Sequence, residues 1–402
     1  MGALGWKMSF SENMSASNRL RVGILCGPIH PKWGGPAAVV AAHVQVLGAH
    51  ADVSVFGVVD PAERDEVRIR YPNAFLFDRA FPNAWYRGSG LRAALSDIAP
   101  RLDVLHAHML WDHPVYAAWK ASRQFSVPLV VTPHGTLAER WRWSSPHKRL
   151  YRRLIADRLL EGAAAVHVLS TTEAEAMSKI GLRTNSVVIP NGLPSASFEF
   201  RNNRGEADAA FPRLAGRRVV LYLGRLWSEK GLDVLPRAWA AATSGDDSSI
   251  LVIAGPDYNG YENTLVEAIR EAGVVDKVLI TGPVFGSLKK SLLAASDLFV
   301  LPSRSEGFSM ALLEATAASL PAIFSRECNF SELGEIGGGW EIERSEAALA
   351  SALRHALSLP KSELANIGNR ANKWASERFT LEKVGADLTA LYSSLVKVKG
   401  RI

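Results

Sequence analysis

Two glutamates stand eight positions apart around the start of an apolar, helix-like segment, in the stretch SRSEGFSMALLEATAASLP. Glu306 lies in the loop after the strand-like run DLFVLP, and Glu314 lies in the second turn of a helix predicted to begin near Ser309. A carboxylate only accepts hydrogen bonds, so two carboxylates at this spacing suit hydroxyl groups on two different sugars of one ligand. The alternative is a solvated pair of surface acids.

The loop before this helix contains Gly307, so the sequence predicts an exposed helix N-terminus at the end of a strand. Free backbone N–H groups and the positive end of the helix dipole suit a diphosphate, and Ser309 can cap the helix or reach a phosphate oxygen. Two cations, Arg225 and Lys230, follow an earlier strand in YLGRLWSEKGLD. A forked guanidinium and a compact ammonium suit a diphosphate leaving group, although a solvated basic turn is the alternative.

The first half of the chain adds two glycines and a histidine. Gly34 and Gly35 follow the first predicted strand, so a ligand could approach this loop without side-chain obstruction. The pattern is not G-x-G-x-x-G, and no acid ends the second strand, which disfavours a nicotinamide-dinucleotide site. His134 ends the fourth strand and is predicted to face the cleft, with a structural hydrogen bond as the alternative role. Four further residues could line the side of the site where a second substrate binds, but a core or turn role is favoured for them: His106, His108, Asp112 and His113.

Short apolar runs alternate with helix-period segments, which predicts an α/β protein with doubly wound parallel sheets. Strands are expected at 21–26, 51–58, 103–108, 128–132, 164–170 and 186–190, then at 219–224, 249–255, 277–282, 297–303 and 320–324. The predicted organisation is a flexible leader at 1–20, a Rossmann-like domain at 21–195, a linker at 196–217, a second Rossmann-like domain at 218–378, and a helix at 379–402 that could cross back to the N-terminal domain.

Composition is that of a globular protein with two cores: 402 residues, 48% hydrophobic and 21% charged. Two cysteines, Cys26 and Cys328, cannot form a disulfide framework or a multi-cysteine zinc site, and a reducing cytoplasm is expected. No run of about 18 apolar residues occurs, so membrane contact is expected to be peripheral.

The net charge of +6 is concentrated in one stretch. Residues 134–160 contain seven Arg or Lys against two acids, with Trp141, Trp143 and Tyr151 interleaved. Segment 140–158 is therefore a candidate surface for an anionic membrane, with a solvated helix face as the alternative. No nucleic-acid partner is expected.

Together these motifs resemble the retaining glycosyltransferases of family 4, whose GT-B fold has two Rossmann-like domains facing a central cleft. The family's E-x7-E motif corresponds to Glu306 and Glu314, and its GR-x4-KG turn to Gly224 through Gly231. KWGGPAAVV, PHGTL, IPNG, AGPDYNGY and TGPV follow in the family's order, so the resemblance covers most of the chain. RECNFSEL followed by GGGW resembles the branch that builds bacterial surface polysaccharides.

The resemblance implies that the C-terminal domain binds a nucleotide-diphosphate sugar and that the N-terminal domain is the acceptor side. Arg225 and Lys230 would hold the diphosphate, Glu306 the transferred sugar, Glu314 the ribose, and the backbone of Val284 the base. The residues implied in donor binding are Gly34, Gly35, Arg225, Lys230, Val284, Glu306, Gly307, Phe308, Ser309, Met310 and Glu314. Those implied in catalysis are His134, Glu306, Arg225 and Lys230.

The implied activity is retaining transfer of a hexosyl unit to a glycan acceptor, expected to be lipid-linked, in exopolysaccharide, O-antigen or lipopolysaccharide synthesis. The nucleotide sugar is a co-substrate, and no cofactor or metal is expected, since neither Asp-x-Asp between strands nor a His/Cys cluster of metal-ligand spacing occurs. Two alternatives are an epimerase or hydrolase of the same fold, which product analysis would distinguish, and a non-catalytic nucleotide-sugar-binding protein. The intact set Arg225, Lys230, Glu306 and Glu314 argues against the latter.

Overall fold

The computed structural model of the chain describes residues 19–136, 146–199 and 203–397. Within these residues two separate parallel sheets are covered by helices, as the α/β pattern predicted. Most of the predicted leader, together with residues 140–145 of the basic segment, lies outside the described residues.

The N-terminal domain is built on an eight-stranded sheet of order β4-β3-β2-β1-β5-β6-β7-β8. The described pairings are parallel apart from the short antiparallel pairing of β3 with β4. Its strands are β1 Leu20–Pro28, β2 Ala51–Val59, β3 Phe75–Ala80, β4 Arg87–Gly88, β5 Val104–His108, β6 Leu129–Thr132, β7 Ala165–Val168 and β8 Ser186–Val188.

The helices of this domain alternate with its strands along the chain. They are α1 Gly35–Leu47, α2 Arg64–Arg70, α3 Leu91–Ile98, α4 His113–Phe125, α5 Pro146–Tyr151, α6 Asp157–Glu161 and α7 Thr171–Lys179. A π-helical turn, Arg152–Ala156, joins α5 to α6. Pro36 in the first turn of α1 follows Gly34 at φ +79°, a backbone conformation that favours glycine.

The C-terminal domain has a six-stranded parallel sheet of order β11-β10-β9-β12-β13-β14, the order of a doubly wound Rossmann fold. Its strands are β9 Arg218–Leu223, β10 Ser249–Ala254, β11 Val278–Gly282, β12 Leu298–Leu301, β13 Ala322–Ser325 and β14 Gly339–Ile342. Its helices are α8 Gly205–Ala210, α9 Leu235–Ala242, α10 Tyr261–Glu271, α11 Gly286–Ala295, α12 Met310–Ala317, α13 Ser331–Glu335, α14 Glu346–Ser358 and α15 Lys361–Arg378.

The central strands are buried on both faces, which is why they are continuous apolar runs in the sequence. Every residue of β10 is buried, and β5 and β12 are buried along their whole length. One apolar core lies on each side of the N-terminal sheet, and the C-terminal domain has its own core. In a parallel sheet the crossover helices that connect successive strands pack on both faces, so the strands between them are buried on both sides.

The final helix, α16 Leu381–Lys397, packs on the N-terminal domain although the preceding helix belongs to the C-terminal one. Leu388 and Tyr392 are fully buried there, and Gly385 is so close to α1 that a Cβ would lie 2.5 Å from the side chain of Val46. Where the chain returns to the N-terminal domain, the Leu193 N–H donates to the Phe379 carbonyl and the Leu381 N–H donates to the Leu193 carbonyl, at 2.8 Å each. The segment that leaves the N-terminal domain and the segment that returns to it therefore run side by side.

Three strands were absent from the sequence prediction: β3, β4 and β14. Each lies at or near an edge, where burial on one side suffices and the apolar run is short or follows glycines. The predicted linker 196–217 contains the short helix α8. None of the described helices combines the length and apolar character needed to cross a bilayer.

Candidate donor-binding site between the domains

A cavity of about 330 Å³ opens where the carboxyl ends of the two sheets face each other. The ends of the strands next to the switch point of a doubly wound sheet are where such folds bind ligands. The cavity is lined from both domains by ten of the residues singled out in the sequence: Gly34, Gly35, His134, Arg225, Lys230, Glu306, Gly307, Phe308, Ser309 and Met310.

An ion pair links the loop after β9 to the loop after β12. Lys230 Nζ donates to both carboxylate oxygens of Glu306, at 2.6 Å and 2.7 Å, and the Ser303 hydroxyl donates to Oε1 at 2.8 Å. The Glu306 backbone is fixed by Asn329, whose side-chain amide donates to its carbonyl at 2.7 Å. The side chains of Lys230 and Glu306 are only 20% and 10% exposed, so the structure holds both in one geometry.

Arg225 has a different environment from Lys230. It is exposed, and among the described residues no carboxylate lies within ion-pair distance of it. Its guanidinium lies 5.2 Å from the ring centroid of Tyr258, and that ring packs at a tilt against the ring of Trp227, with 4.8 Å between the centroids. The aromatic face therefore orients the guanidinium while leaving its charge for a ligand.

The N-terminus of α12 points at the same cavity. Ser309 is the N-cap residue, with extended backbone angles, and its hydroxyl accepts from the Leu312 N–H at 3.3 Å. Met310 and Ala311 line the cavity, and the first N–H groups of a helix have no carbonyl partner within it. This combination of free N–H groups, helix dipole and Arg225 is suited to an anion with several oxygens.

Two glycines bring the domains into backbone contact at the bottom of the cleft. A Cβ on Gly135 would lie 2.8 Å from the Cα of Gly307, and a Cβ on Gly307 would lie 3.1 Å from the Gly135 nitrogen. His134 and Gly135 both have positive φ, +55° and +72°, in the left-handed region that glycine adopts without strain. Gly135 follows His134 and Gly307 follows Glu306, so the contact between the two glycines sets the spacing of the His134 and Glu306 side chains.

Glu173 holds the His134 loop, a role that sequence reasoning missed. Its carboxylate accepts from the backbone N–H of Gly135 at 2.7 Å and of Leu169 at 2.9 Å, which ties the loop after β6 to the loop after β7. Burial raises the pKa of this carboxyl, and the two N–H groups act in the opposite direction. Ser170 followed three residues later by Glu173 is a helix-capping pattern, but that pattern predicts only local contacts.

The histidines of β5 belong to a buried layer beneath the cavity, in agreement with the core role favoured from the sequence. His106 bonds Tyr392 Oη and Thr132 Oγ1, both at 2.7 Å, and Thr132 also bonds His167 at 2.8 Å. His108 Nδ1 bonds His134 Nε2 at 2.9 Å. Burial lowers the pKa of each of these histidines, to about 3 for His134 and about 4 for His167.

His43 on α1 completes a cluster with His106 and His108 whose ring nitrogens lie within 4.8 Å of one another. Both nitrogens of His106 already have hydrogen-bond partners on hydroxyl groups. Joint coordination of a cation would break one of these two short bonds, so the layer fits a neutral hydrogen-bonding role better than a metal site.

Asp112 and His113 begin α4 instead of facing the cavity. The Asp112 carboxylate caps the helix by accepting from the Val115 N–H at 3.3 Å, and burial raises its pKa to about 7. His113 is buried, and its Nδ1 accepts from the Gly88 N–H at 3.4 Å. These contacts correspond to the turn and core roles predicted for both residues.

Glu314 and Val284 are not among the residues that line the cavity holding Glu306. Glu314 lines a second cavity of about 520 Å³ between α8, α11 and α12, where Lys289 Nζ donates to its Oε1 at 2.8 Å. Val284 is buried immediately before α11, and it lines neither cavity. Assignment of the ribose to Glu314 and of the base to Val284 stays a prediction.

Comparison with known families covers both domains. Residues 34–192 match the family model described as Glycosyl transferase 4-like domain, and residues 203–374 match the model described as Glycosyl transferases group 1. The boundary between the two matches falls in the linker that joins the two sheets.

Individual relatives agree with these matches. The D-inositol 3-phosphate glycosyltransferase of Actinosynnema mirum is 29% identical over 67% of this chain and 69% of its own length. The GDP-mannose:cellobiosyl-diphosphopolyprenol alpha-mannosyltransferase of Xanthomonas oryzae pv. oryzae is 29% identical over 68% of this chain and 70% of its own. Among solved structures, Anabaena Alr3699/HepE in complex with UDP-glucose superposes with a TM-score of 0.77 at 20% identity, over 94% of this chain and 100% of that one.

Proposed function

Because the chain belongs to the GT-B glycosyltransferases of the family-4-like type, we propose that it transfers a hexosyl unit from a nucleotide-diphosphate sugar to a glycan hydroxyl with retention of anomeric configuration. The observation that carries the proposal is the shared cavity, in which Arg225, the α12 N-terminus and the Lys230–Glu306 pair converge from separate loops. This arrangement has cations and N–H groups for a diphosphate and a carboxylate for sugar hydroxyls.

In this proposal the diphosphate binds Arg225, Lys230 and the free N–H groups of α12, and Glu306 accepts from hydroxyls of the transferred sugar. The acceptor oxygen bonds to the anomeric carbon on the face that the diphosphate leaves. The bond from that carbon to the phosphate oxygen breaks, and the departing phosphate takes the acceptor proton. The cations stabilise the charge that develops on the leaving group, which is the largest electrostatic requirement of the step.

Since side chains and a helix N-terminus would supply this positive charge, we propose that transfer needs no metal ion. Activity is expected to persist when a chelator removes divalent cations from the assay. A full loss of turnover that returns on addition of Mg²⁺ or Mn²⁺ would contradict this part of the proposal.

The donor can be identified by binding alone. Relatives with similar sequence or fold are named for GDP-mannose or were solved with UDP-glucose, so both nucleotides belong in the test. A panel of UDP, GDP and ADP sugars should contain one that raises the melting temperature selectively, because a ligand that binds only the folded state stabilises it by mass action. Stabilisation by none of the panel would argue against a nucleotide-sugar donor.

Substitution of Glu306 tests the catalytic assignment. Glu306→Ala should lower transfer by at least about 100-fold, since a group that acts in the transition state is lost, while the donor-induced shift in melting temperature survives. Glu363→Ala, an exposed glutamate at the start of α15, is the matched control and should keep full activity. Wild-type turnover by Glu306→Ala would refute the role.

We propose that the acceptor is lipid-linked and that α5 to α6 rests on the anionic inner leaflet of the cytoplasmic membrane, in synthesis of a surface polysaccharide. Leu150 and Leu154, one turn apart, are 59% and 51% exposed, and Arg149 and Arg153 are exposed beside them. An apolar stripe bordered by arginines is the pattern of an interfacial helix. A similar relative is named for a diphosphopolyprenol acceptor.

Flotation with liposomes tests this surface. The wild-type chain should float with vesicles that contain anionic lipid and should float less with neutral ones, because each arginine near the surface contributes about 1 kcal/mol. Arg149→Gln with Arg153→Gln should lose most of this binding, whereas Arg237→Gln with Lys373→Gln, exposed cations of the C-terminal domain, should not. Equal recovery with both vesicle types would remove the membrane proposal.

A further inference from the structure

The hydrogen bond between His108 and His134 connects the buried histidine layer to the donor cavity. His134 lines the cavity and is partly exposed, whereas His108 at the end of β5 has no exposed surface. His134 Nε2 and His108 Nδ1 are 2.9 Å apart. Since Nε2 is occupied in this way, Nδ1 is the one polar side-chain atom of His134 left for a ligand.

A neutral imidazole carries its proton on one nitrogen only, so the bond between these rings couples their tautomers. His108 Nε2 is buried and has no hydrogen-bond partner among the described residues. A bare lone pair is less costly to bury than an unpaired N–H group, because orphaned N–H donors are the rarer of the two in folded proteins. His108 therefore carries its proton on Nδ1 and donates it to His134 Nε2.

Neither ring is a cation near neutral pH. Burial, with a smaller effect of His167, lowers the pKa of His134 to about 3, and burial together with the neighbouring histidines lowers the pKa of His108. With Nε2 accepting a hydrogen bond and no charge on the ring, the proton of His134 must lie on Nδ1. His134 is thus suited to donate a hydrogen bond and unsuited to donate a proton as an imidazolium acid.

We propose that His108 is a positioning residue that holds His134 in the Nδ1–H tautomer, so that His134 donates a hydrogen bond to an oxygen of the bound donor. The proposal rests on the proposed function for the identity of the ligand, but the tautomer itself does not depend on any ligand. His134 touches the donor in this account, and His108 acts only through His134.

The surrounding contacts keep both rings in this geometry. The ring of His106 lies 4.4 Å from that of His108 and is itself fixed by its bonds to Tyr392 and Thr132. Glu173 holds the Gly135 N–H, which fixes the backbone next to His134. Rotation of either imidazole away from the other would leave a further buried nitrogen without a partner, at a cost that a folded core avoids.

The tautomer can be observed directly in the wild-type protein. In a ¹⁵N-histidine-labelled sample, two-bond proton–nitrogen correlation spectra distinguish protonated from bare ring nitrogens, and the His134 signals are those missing from His134→Asn. We expect a protonated Nδ1 and a bare Nε2 in wild type, and a mixture of tautomers in His108→Leu. A protonated Nε2 on His134 in the wild-type protein would overturn the proposal.

Kinetics supply a second, independent readout. His108→Leu should lower kcat about tenfold while the donor KM changes little, because a hydrogen bond that strengthens in the transition state is misaligned. His108→Asn should restore most of kcat, since the Asn amide nitrogen occupies the position of Nδ1 and can donate in its place. Wild-type kcat in His108→Leu would overturn the proposal.

The matched control is His43→Leu, which removes another buried histidine of the same layer that has no bond to His134. It should keep the wild-type kcat and His134 tautomer, and a tenfold loss in this variant would show that the layer as a whole, not His108, governs the site. If no nucleotide sugar supports transfer by the wild-type protein, the proposed function fails, while the spectra still decide whether His108 sets the tautomer.

Discussion

At the scale of single residues, Lys230 and Glu306 depend on each other. Their side chains are mostly buried, and each is the other's charged partner at 2.6 Å. A partly buried ion pair adds little net stability over an apolar pair of the same shape, but loss of one partner leaves an uncompensated charge. The pair is therefore better explained by its place in the cavity than by a need for stability.

This dependence predicts a specific double-mutant cycle. Lys230→Met should lower the free energy of unfolding by about 2 kcal/mol, because Glu306 is left without its counter-charge. Lys230→Met with Glu306→Gln should regain most of that loss, although neither variant should transfer sugar. Urea denaturation at pH 7 measures the free energy of unfolding of each variant. If the losses caused by the two substitutions simply add in the double variant, Lys230 and Glu306 are not energetically coupled.

At the scale of secondary-structure elements, two loops from different domains meet at Gly135 and Gly307. Each loop follows the carboxyl end of a strand, and each ends beside a residue that lines the cavity. Because only hydrogen atoms separate the two backbones, the distance between the sheets at this point is set by the absence of a Cβ on either side.

Gly307→Ala should therefore damage catalysis more than folding. Its methyl group would lie 3.1 Å from the Gly135 nitrogen, so the two loops must separate by a few tenths of an ångström. We expect kcat to fall at least about tenfold, as small displacements of catalytic groups are costly, with little change in melting temperature. Gly205→Ala, whose Cβ would meet only the Asn203 side chain at 3.5 Å, is the control and should behave as wild type.

At the scale of the whole molecule, α16 ties the C-terminal end of the described chain to the N-terminal sheet. Tyr392 is fully buried and its hydroxyl bonds His106 at 2.7 Å, so the helix contacts the same histidine layer that underlies the cavity. Burial of each large apolar side chain of α16, such as Leu388, contributes about 2 kcal/mol. The helix that crosses back to the N-terminal domain and the histidine layer therefore belong to one packed unit.

The same layer predicts how stability depends on pH. Burial lowers the pKa of His43, His106, His108, His134 and His167, and lowers that of His113 to about 4. A histidine with a lowered pKa binds fewer protons when folded, so its contribution is lost as pH falls from about 6.5 towards its folded value. Asp112, with a pKa of about 7, and Glu173 act with the opposite sign, but the histidines outnumber them.

The free energy of unfolding should accordingly fall by at least about 3 kcal/mol between pH 7 and pH 5. Denaturant titrations across this range measure it. His43→Leu should reduce the slope of the unfolding free energy against pH by about one bound proton, since it removes one buried neutral imidazole. A stability that is constant from pH 7 to pH 5 would contradict the neutral state of the layer.

The sequence by itself determined the α/β class, the two-domain organisation and the loops that carry Arg225, Lys230, Glu306 and Ser309. It could do so because apolar periodicity, turn residues and helix caps are local, and because parallel strands place their carboxyl ends at one edge. It missed edge strands such as β14, where the apolar pattern is short and follows glycines.

Only the tertiary structure decided which of these groups touch. The contacts between Gly135 and Gly307, Lys230 and Glu306, and His108 and His134 join residues from different strands or different domains. In the tertiary structure Glu306 and Glu314 also line different cavities, although the sequence places both around the start of one helix. These contacts depend on how each sheet twists and how the two domains pack against each other. No local pattern along the chain encodes the distance between residues that lie far apart in the sequence.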